Sequence, residues 1–486
     1  MKTFDATSVV LEKRNVIEAG AGTGKTYSIA ILVLRLILEK NIPVQQILMV
    51  TFTKAAVAEL EMRIREFIAL AYQYAQSVHI EDKTIKNIVT AAIDELGTEK
   101  TQLRLKDALA LMDETSILTI HGFCQKTLQE FAFETQQVFG AEALSEEQMD
   151  ELRTASIYQY WRKYIAPLKT ELLEHIHGML QMDLLIKMVK ESLSGKKFNL
   201  PLTPRSRLLD AAHQDELLEM ITIAEKEKDD CWQALCDEFT NNEADYRKAI
   251  QQNSSARSAF QDIKDPNEVI NLIVERIDSI YISDVFPGIV RKVNKWKDKA
   301  MKLESARQKV TAIIFAYLAE QIKAELNEIK KDRGLLSFDD MIDNLHQAVC
   351  IAAPDELLKG IREKFKAVFI DEFQDTDRKQ YEIFQQLFGP PSDTIVFMIG
   401  DPKQSIYTWR KADLFTYFKA VKEADNQFNM STNFRSARSL IDAFNHFFKP
   451  GADFDTFYFK GAADEIAYLP VTSPNPNDKG ILAYNG

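Results

Sequence analysis

Residues 18–26 read Glu-Ala-Gly-Ala-Gly-Thr-Gly-Lys-Thr and stand between a short apolar run at 16–17 and a long one at 29–38. A short apolar run, a glycine-rich turn and a longer apolar run give the order strand, loop, helix. That order commits the chain to an α/β fold in which the turn faces an anion at the end of a strand. Gly20, Gly22 and Gly24 let the backbone curl so that successive N–H groups point inward. The helix after the turn adds its unpaired N–H groups and the positive end of its dipole. Lys25 then reaches the β- and γ-phosphates of a nucleoside triphosphate, and the Thr26 hydroxyl takes one position on Mg²⁺. The expected cradle is Ala19, Gly20, Ala21, Gly22, Thr23, Gly24, Lys25 and Thr26, with Ala19 where the usual pattern has glycine. The competing reading is a glycine-rich turn without a ligand. Gly-Lys-Thr at the junction of strand and helix argues against it.

The same rhythm recurs twice. A β-rich run at 47–52 leads to a polar turn and a helical pattern at 54–67, with Ala55, Ala56, Leu60 and Ile64 on one face. After a polar helical stretch at 82–113, the run Ile-Leu-Thr-Ile at 117–120 leads to His121, Gly122, Phe123, Cys124 and another helix. Strand, motif and helix in repetition predict a parallel sheet with helices on its faces. From 144 to 328 helical periodicity dominates, and β-rich runs vanish apart from 280–282. Gly195, Pro201 and Pro204 make one break in this stretch and Pro287-Gly288 a second. It reads as an all-helical insertion. Its helix at 291–309 carries Lys295, Lys299 and Lys302 near one face, either as a solvated surface or as a phosphate-contacting one. Strands resume at 367–370, 394–399 and 428–432, each with polar residues at its carboxyl end. A last apolar-faced helix is expected at 440–448.

A chain of 486 residues is long enough for about three domains. Cys124, Cys231, Cys236 and Cys350 lack zinc-site spacing and read as free thiols of a reducing cytoplasm. The longest apolar run is broken by Arg35 and is too short to span a bilayer, and the N-terminus has no signal pattern, so a cytoplasmic protein without a membrane partner is expected. A net charge of −12 excludes a surface uniformly coated in nucleic-acid contacts. It leaves room for a local basic groove, because charges are screened beyond ~8 Å.

Asp371 and Glu372 come directly after the buried run at 367–370. Downstream of a phosphate loop, such a pair supplies one carboxylate to Mg²⁺, here Asp371, and a second, Glu372, to activate the attacking water. Gln404 and Arg410 flank Tyr407 and Trp409. An amide and a guanidinium can sense and stabilise charge on a γ-phosphate. The two aromatics are either core residues or platforms for stacked bases, as is Phe52 beside Thr53 and Lys54.

Six stretches, AGAGTGKT, TFTKAAVAELEMRI, ILTIHGFC, VFIDEFQDTD, IGDPKQSIYTWRKADLF and STNFRS, resemble in order the motifs of superfamily 1 helicases of the UvrD/Rep type. EAGAGTGKT, TIHGFCQ, LSFDDMI and DEFQDTDRKQY look most like the RecB branch, the beta subunit of exodeoxyribonuclease V. The resemblance runs from about residue 15 to 436, by position more than by motif across the helical insertion. It implies a P-loop RecA-like α/β domain at 1–143 and 329–425, a helical accessory insertion at 144–328, and the beginning of a second RecA-like domain at 426–486. It also implies ATP and Mg²⁺ in the cleft between the two RecA-like domains, and DNA moved 3′→5′ in the repair and recombination of double-strand breaks. By motif position, Gln404, Arg410 and Arg435 would contact the γ-phosphate. Phe52, Tyr407 and Trp409 would meet bases, and Thr53, Lys54 and His121 would lie along the DNA backbone. The partners implied are single-stranded and duplex-end DNA and RecC-like and RecD-like sister subunits.

Three departures qualify the resemblance. No glutamine precedes the phosphate loop, where many relatives read adenine with one. The later family motifs that complete a second RecA-like domain do not come after STNFRS, and no nuclease-like segment comes after Lys449. The expectation is therefore the N-terminal portion of a longer protein, weakly active or inactive by itself. A stand-alone UvrD/Rep-like or AddA-like helicase, and a non-catalytic fragment that binds DNA or subunits, are the competing readings.

Overall fold

Seven parallel strands form one sheet in the computed structural model, which describes residues 1–135, 142–193, 209–260, 262–405, 413–449, 466 and 468–475. In chain order they are β1 (Lys2–Thr3), β2 (Arg14–Ala19), β3 (Ile47–Thr51), β4 (Ser116–Thr119), β5 (Ala367–Ile370), β6 (Ile395–Gly400) and β7 (Asn426–Met430). Their order across the sheet is β1-β7-β2-β6-β5-β3-β4. Successive side chains leave opposite faces of a strand. Ile47, Met49, Phe369 and Phe397 accordingly enter one core, and Leu48, Val50, Val368 and Val396 the other. Both faces are covered, which is why these strands read as continuous apolar runs and not as alternating ones.

The chain divides into two compact units, Met1–Ala143 with Leu336–Gly486, and Leu144–Leu335. The first holds the sheet. Its helix α1 (Lys25–Leu38) is buried from Ser28 to Leu38. Arg35, the one charge in that run, donates 2.9 Å bonds to the carbonyls of Ala6 and Val9 and pairs with Glu39 at 2.6 Å. A buried guanidinium is tolerable only with such partners. These bonds also fasten the N-terminal segment to the helix. Helix α2 (Lys54–Ala75) buries Leu60 and Ile64 as expected, and Phe67 besides, whereas Ala56 is half-buried and Ala55 exposed.

Several boundaries differ from those expected of the sequence. The run at 117–120 ends one residue early as a strand, because the Thr119 hydroxyl accepts the Gly122 N–H at 3.0 Å and caps helix α3 (Ile120–Glu130). The stretch 82–113 is two helices, Lys83–Leu96 and Thr98–Ala110, broken at Gly97. The β-rich run at 280–282 belongs to a helix, Ile280–Val285: Ile282 and Val285 are buried one turn apart, with Ile280 facing out. The strand expected to open a new domain at 426, β7, pairs with both β1 and β2 of the first sheet.

Apart from Leu335, which opens a two-residue strand, the elements of the second unit are helices among its described residues. Its longest element, Pro287–Arg333, runs 47 residues with Pro287 at its start. It passes the boundary expected at 328 because the first stop signal is Gly334, at φ 63°. Two cores line it, one around Val293 and Phe286, the other around Phe315 and Leu318. The basic residues of 291–309 are partly neutralised: Lys292 pairs with Glu238 at 3.0 Å and Lys299 with Glu227, while Lys295 and Lys302 face solvent. The break at Gly195, Pro201 and Pro204 lies outside the described residues. No helix among the described residues is long and apolar enough to cross a membrane.

Candidate active site

Parallel strands place all their carboxyl ends on one edge of a sheet, and the polar residues picked out in the sequence collect there. At the end of β2, Ala19 is fully buried as the last strand residue. The loop then turns through Gly22 (φ 77°) and Gly24 (φ 87°), left-handed conformations that L side chains rarely adopt. A Cβ on Gly22 would also lie 2.7 Å from Cβ of Arg435. The loop is tied inside and out. The Thr23 hydroxyl donates to the Gly20 carbonyl at 2.8 Å, the Asn433 amide donates to the Ala21 carbonyl at 2.9 Å, and the Phe434 N–H donates to the Gly22 carbonyl at 2.8 Å. The connection after β7 therefore clamps the phosphate loop and sets the Arg435 backbone against it. Ala21 is exposed, and Thr26 is half-buried on the first turn of α1.

Lys25, the first residue of α1, donates from Nζ to Oε1 of Glu372 at 2.8 Å. Glu372, just past β5, is in a left-handed conformation (φ 51°). Such a backbone costs a non-glycine residue on the order of 1–3 kcal/mol and persists where surrounding bonds enforce it. Here its Oε2 accepts from Nε2 of Gln374 at 2.9 Å. Asp371 is anchored through its N–H to the Val50 carbonyl at 2.8 Å. Its Oδ1 is buried without a hydrogen-bond partner. Burial, with the neighbouring Glu372 carboxylate, pushes the Asp371 carboxyl up to about 6, against the pull of Lys25. An orphaned, buried carboxylate oxygen beside a phosphate loop fits a hard divalent cation that takes oxygen ligands.

Asp401, just past β6, is buried; its Oδ2 accepts from Gln404 Nε2 at 2.8 Å and its Oδ1 from the Lys403 N–H at 3.0 Å. The Lys403 ammonium pairs with Asp401 at 3.1 Å and with Glu18 at the foot of the phosphate loop. Burial disfavours that charge, but Asp401 and Glu18 outweigh it and hold Lys403 above the usual lysine range. Three strands thus contribute to one network, from Lys25 through Glu372, Gln374 and Asp401 to Gln404.

The next two strands carry the other candidates. β3 and β4 are in register at Thr51 and Thr119, so the segments leaving their carboxyl ends start side by side. Phe52 is half-buried against the second core, while Lys54 is exposed. The Thr53 hydroxyl accepts the Ala56 N–H at 3.1 Å, which makes Thr53 the N-cap of α2. The His121 ring lies 5.0 Å from that of Phe338. Tyr407, Trp409 and Arg410 lie outside the described residues. On the far side of the phosphate loop, a cavity of about 550 Å³ is lined by Phe4, Asp5, Thr23, Tyr27, Thr432 and Phe434 among others. Local sequence pattern assigns no role to Gln374, Asn433 or this cavity. All three depend on strands that are distant in the chain, although Asn433 lies inside the STNFRS motif and Gln374 inside DEFQDTD.

The parallel sheet covered on both faces, with a glycine-rich phosphate loop after one strand and an acidic pair after another, defines a P-loop α/β domain of the RecA-like class. A model of the UvrD/REP helicase N-terminal domain matches residues 2–425, and the chain belongs to that family. It is similar throughout to the RecBCD enzyme subunit RecB of Escherichia coli strain K12, 30% identical over 508 residues and covering 100% of this chain and 41% of that protein. The RecB subunits of Haemophilus influenzae (31% identical, 90% of this chain, 40% of that protein) and Chlamydia trachomatis (29%, 92%, 44%) are similar too. The likeness to the RecB branch read from the motifs agrees with these relatives. The chain spans about two fifths of their length.

Proposed function

We propose that this chain is the ATP-driven motor portion of a 3′→5′ DNA helicase of the RecB type, acting in the cytoplasm on single-stranded DNA and duplex ends beside RecC-like and RecD-like subunits. In this reading the sheet unit is the first RecA-like domain, the helical unit an accessory insertion, and a second RecA-like domain begins beyond β7. The observation that carries it is the single edge of the sheet. Candidates for the triphosphate come after β2, β5, β6 and β7, and candidates for DNA after β3, β4 and β6, so hydrolysis and strand contact share one sheet edge.

Lys25 exchanges Glu372 for the β- and γ-phosphates, and the N–H groups of the 19–26 loop cradle them. Thr26 and Asp371 would hold Mg²⁺, which when bound neutralises charge on the β- and γ-phosphate oxygens. Glu372 takes a proton from water as the water oxygen bonds to the γ-phosphorus. The bond from that phosphorus to the β,γ-bridging oxygen breaks, and its electron pair stays with ADP. Gln404, Arg410 and Arg435 stabilise the γ-phosphoryl charge. The nucleobase enters the cavity beside Tyr27 and Phe434. Phe52, Tyr407 and Trp409 meet DNA bases, while Thr53, Lys54 and His121 run along the backbone.

The test is hydrolysis by the full-length protein with and without single-stranded DNA. DNA should stimulate turnover, and Lys25→Ala should nearly abolish it with the fold intact. Turnover indifferent to both DNA and Lys25 would defeat the proposal.

A further inference from the structure

Gln374 is polar, only 2% exposed, and bonded at both ends of its amide. Its Oε1 accepts the Asp401 N–H at 3.0 Å, its Nε2 donates to Glu372 Oε2 at 2.9 Å, and its own carbonyl accepts from the Ser405 hydroxyl at 3.3 Å. The amide cannot be reversed: its oxygen would then face a carboxylate and its NH₂ a backbone N–H. β6 has closed down on it. A Cβ on Gly400 would lie 2.5 Å from Gln374 Oε1 and 3.0 Å from its backbone nitrogen, so the strand ends on glycine where the amide occupies the space.

Glu372 consequently has two unlike partners. Lys25, on Oε1, is the group a triphosphate recruits. Gln374, on Oε2, is buried and tied to the backbone after β6, where no phosphate competes for it. When Lys25 leaves, Oε1 is freed to accept a water proton while Oε2 stays held. The same amide is anchored at Asp401, whose carboxylate holds Gln404.

We infer that Gln374 is the positioning residue of this site: it fixes the Glu372 carboxylate to the 401–405 loop, so that the setting of that loop determines how well the carboxylate is aimed at water. The inference rests on Glu372 being the base. It adds that the aim comes from the strand next door. A shift of the loop after β6 then reaches the acidic pair through one amide, without passing through the phosphates.

The test uses the full-length protein and DNA-stimulated hydrolysis. Gln374→Met keeps the volume and removes both hydrogen bonds, and Gln374→Glu keeps the shape but loses the donor. Removing an outer partner that orients a reacting group costs about ten- to a hundredfold. Both variants should lose about that much in kcat, while KM for ATP and equilibrium binding of Mg-ATP stay within about threefold. A merely structural role would lower binding and folded yield together. A kcat within about twofold of the parent in a folded Gln374→Met, or a loss confined to KM, overturns the inference. If Gln374→Glu fails to fold, Gln374→Met decides alone. Glu372→Gln, run alongside, separates the two claims: its retaining turnover removes the base, whereas its loss beside an active Gln374→Met removes only the positioning role.

Discussion

The ammonium of Lys25 and the carboxylate of Glu372 meet at 2.8 Å, although 347 residues separate them in the chain. The cation that should hold phosphate and the carboxylate that should activate water are thus each other's partners. On the proposed function, a triphosphate would have to displace one from the other. The pair is partly solvated, with side chains 15% and 33% exposed, which limits its worth to about 1 kcal/mol. Glu372→Gln should therefore tighten Mg-ATP binding by about fivefold while nearly abolishing hydrolysis. Equilibrium titration with a fluorescent ATP analogue reads the first and phosphate release the second. Weaker binding by Glu372→Gln would mean that Lys25 is not held back by this contact.

Asp371 gives a dependence of stability on pH. Its carboxyl is raised to about 6 by burial and by Glu372, so the folded protein holds a proton there that the unfolded chain has released. For an acid raised in this way, stability falls as pH climbs from the ordinary carboxylate value through 6, and the penalty is complete above 6. Without divalent cations, Asp371→Asn should stabilise the protein at pH 7.5 by on the order of 2–3 kcal/mol and give almost no benefit at pH 4. Thermal melts of both proteins in chelator at the two pH values check this. An equal gain at both would assign the effect to packing.

Exposed Lys54 and the aromatics should act on DNA by different physics. Lys54→Ala should weaken single-strand binding and reduce the slope of log K against log salt by ~0.7, as for one lost phosphate contact. Trp409→Ala should weaken binding by about ten- to a hundredfold with the slope unchanged, because stacking is not ionic. Anisotropy titrations at several salt concentrations separate them. A slope change from Trp409 in place of Lys54 would reverse the assignments.

The cavity beside the phosphate loop is lined by Thr3, Thr7, Thr23, Ser28, Thr84 and Thr432 among others, and by no Asn or Gln among the described residues. Hydroxyls donate or accept as required, and the Asp5 carboxylate in the same lining is already engaged by the Thr7 N–H and the Thr7 and Ser8 hydroxyls, so these groups do not separate the amino group of adenine from the carbonyl of guanine. A fixed amide reader discriminates far more strongly. kcat/KM for GTP should fall within about tenfold of that for ATP, a difference of about 1.4 kcal/mol. A preference above about a thousandfold would place a base-reading group elsewhere.

Much of the sheet was legible in the sequence because β3, β5 and β6, covered on both faces, are buried apolar runs that each lead into a motif where a ligand can approach, whereas β7 (Asn-Gln-Phe-Asn-Met) is polar and half-buried. Local signals failed where geometry outweighed composition. The β-branched Ile280 and Ile282 suggested a strand, but Ile282 and Val285 make one buried helical turn. The strand expected at 428–432, in a stretch read from 426 on as the start of a new domain, forms at Asn426–Met430 and pairs between β1 and β2, with two chain-distant partners that no local window contains. Gln374 was invisible as a functional group for the same reason, since its partners are on its own strand's turn and on the strand beside it. Thr53, expected along DNA, already has one task as the α2 N-cap, and its hydroxyl remains free to donate.

Directional, ATP-driven movement along DNA is the central claim. The direct measurement is strand displacement by the full-length protein on duplexes with a 3′ or a 5′ single-stranded tail, beside Lys25→Ala. The prediction is unwinding that requires ATP, proceeds from the 3′ tail and not the 5′ tail, and disappears in Lys25→Ala. Displacement that persists in Lys25→Ala, or that starts only from the 5′ tail, would contradict it.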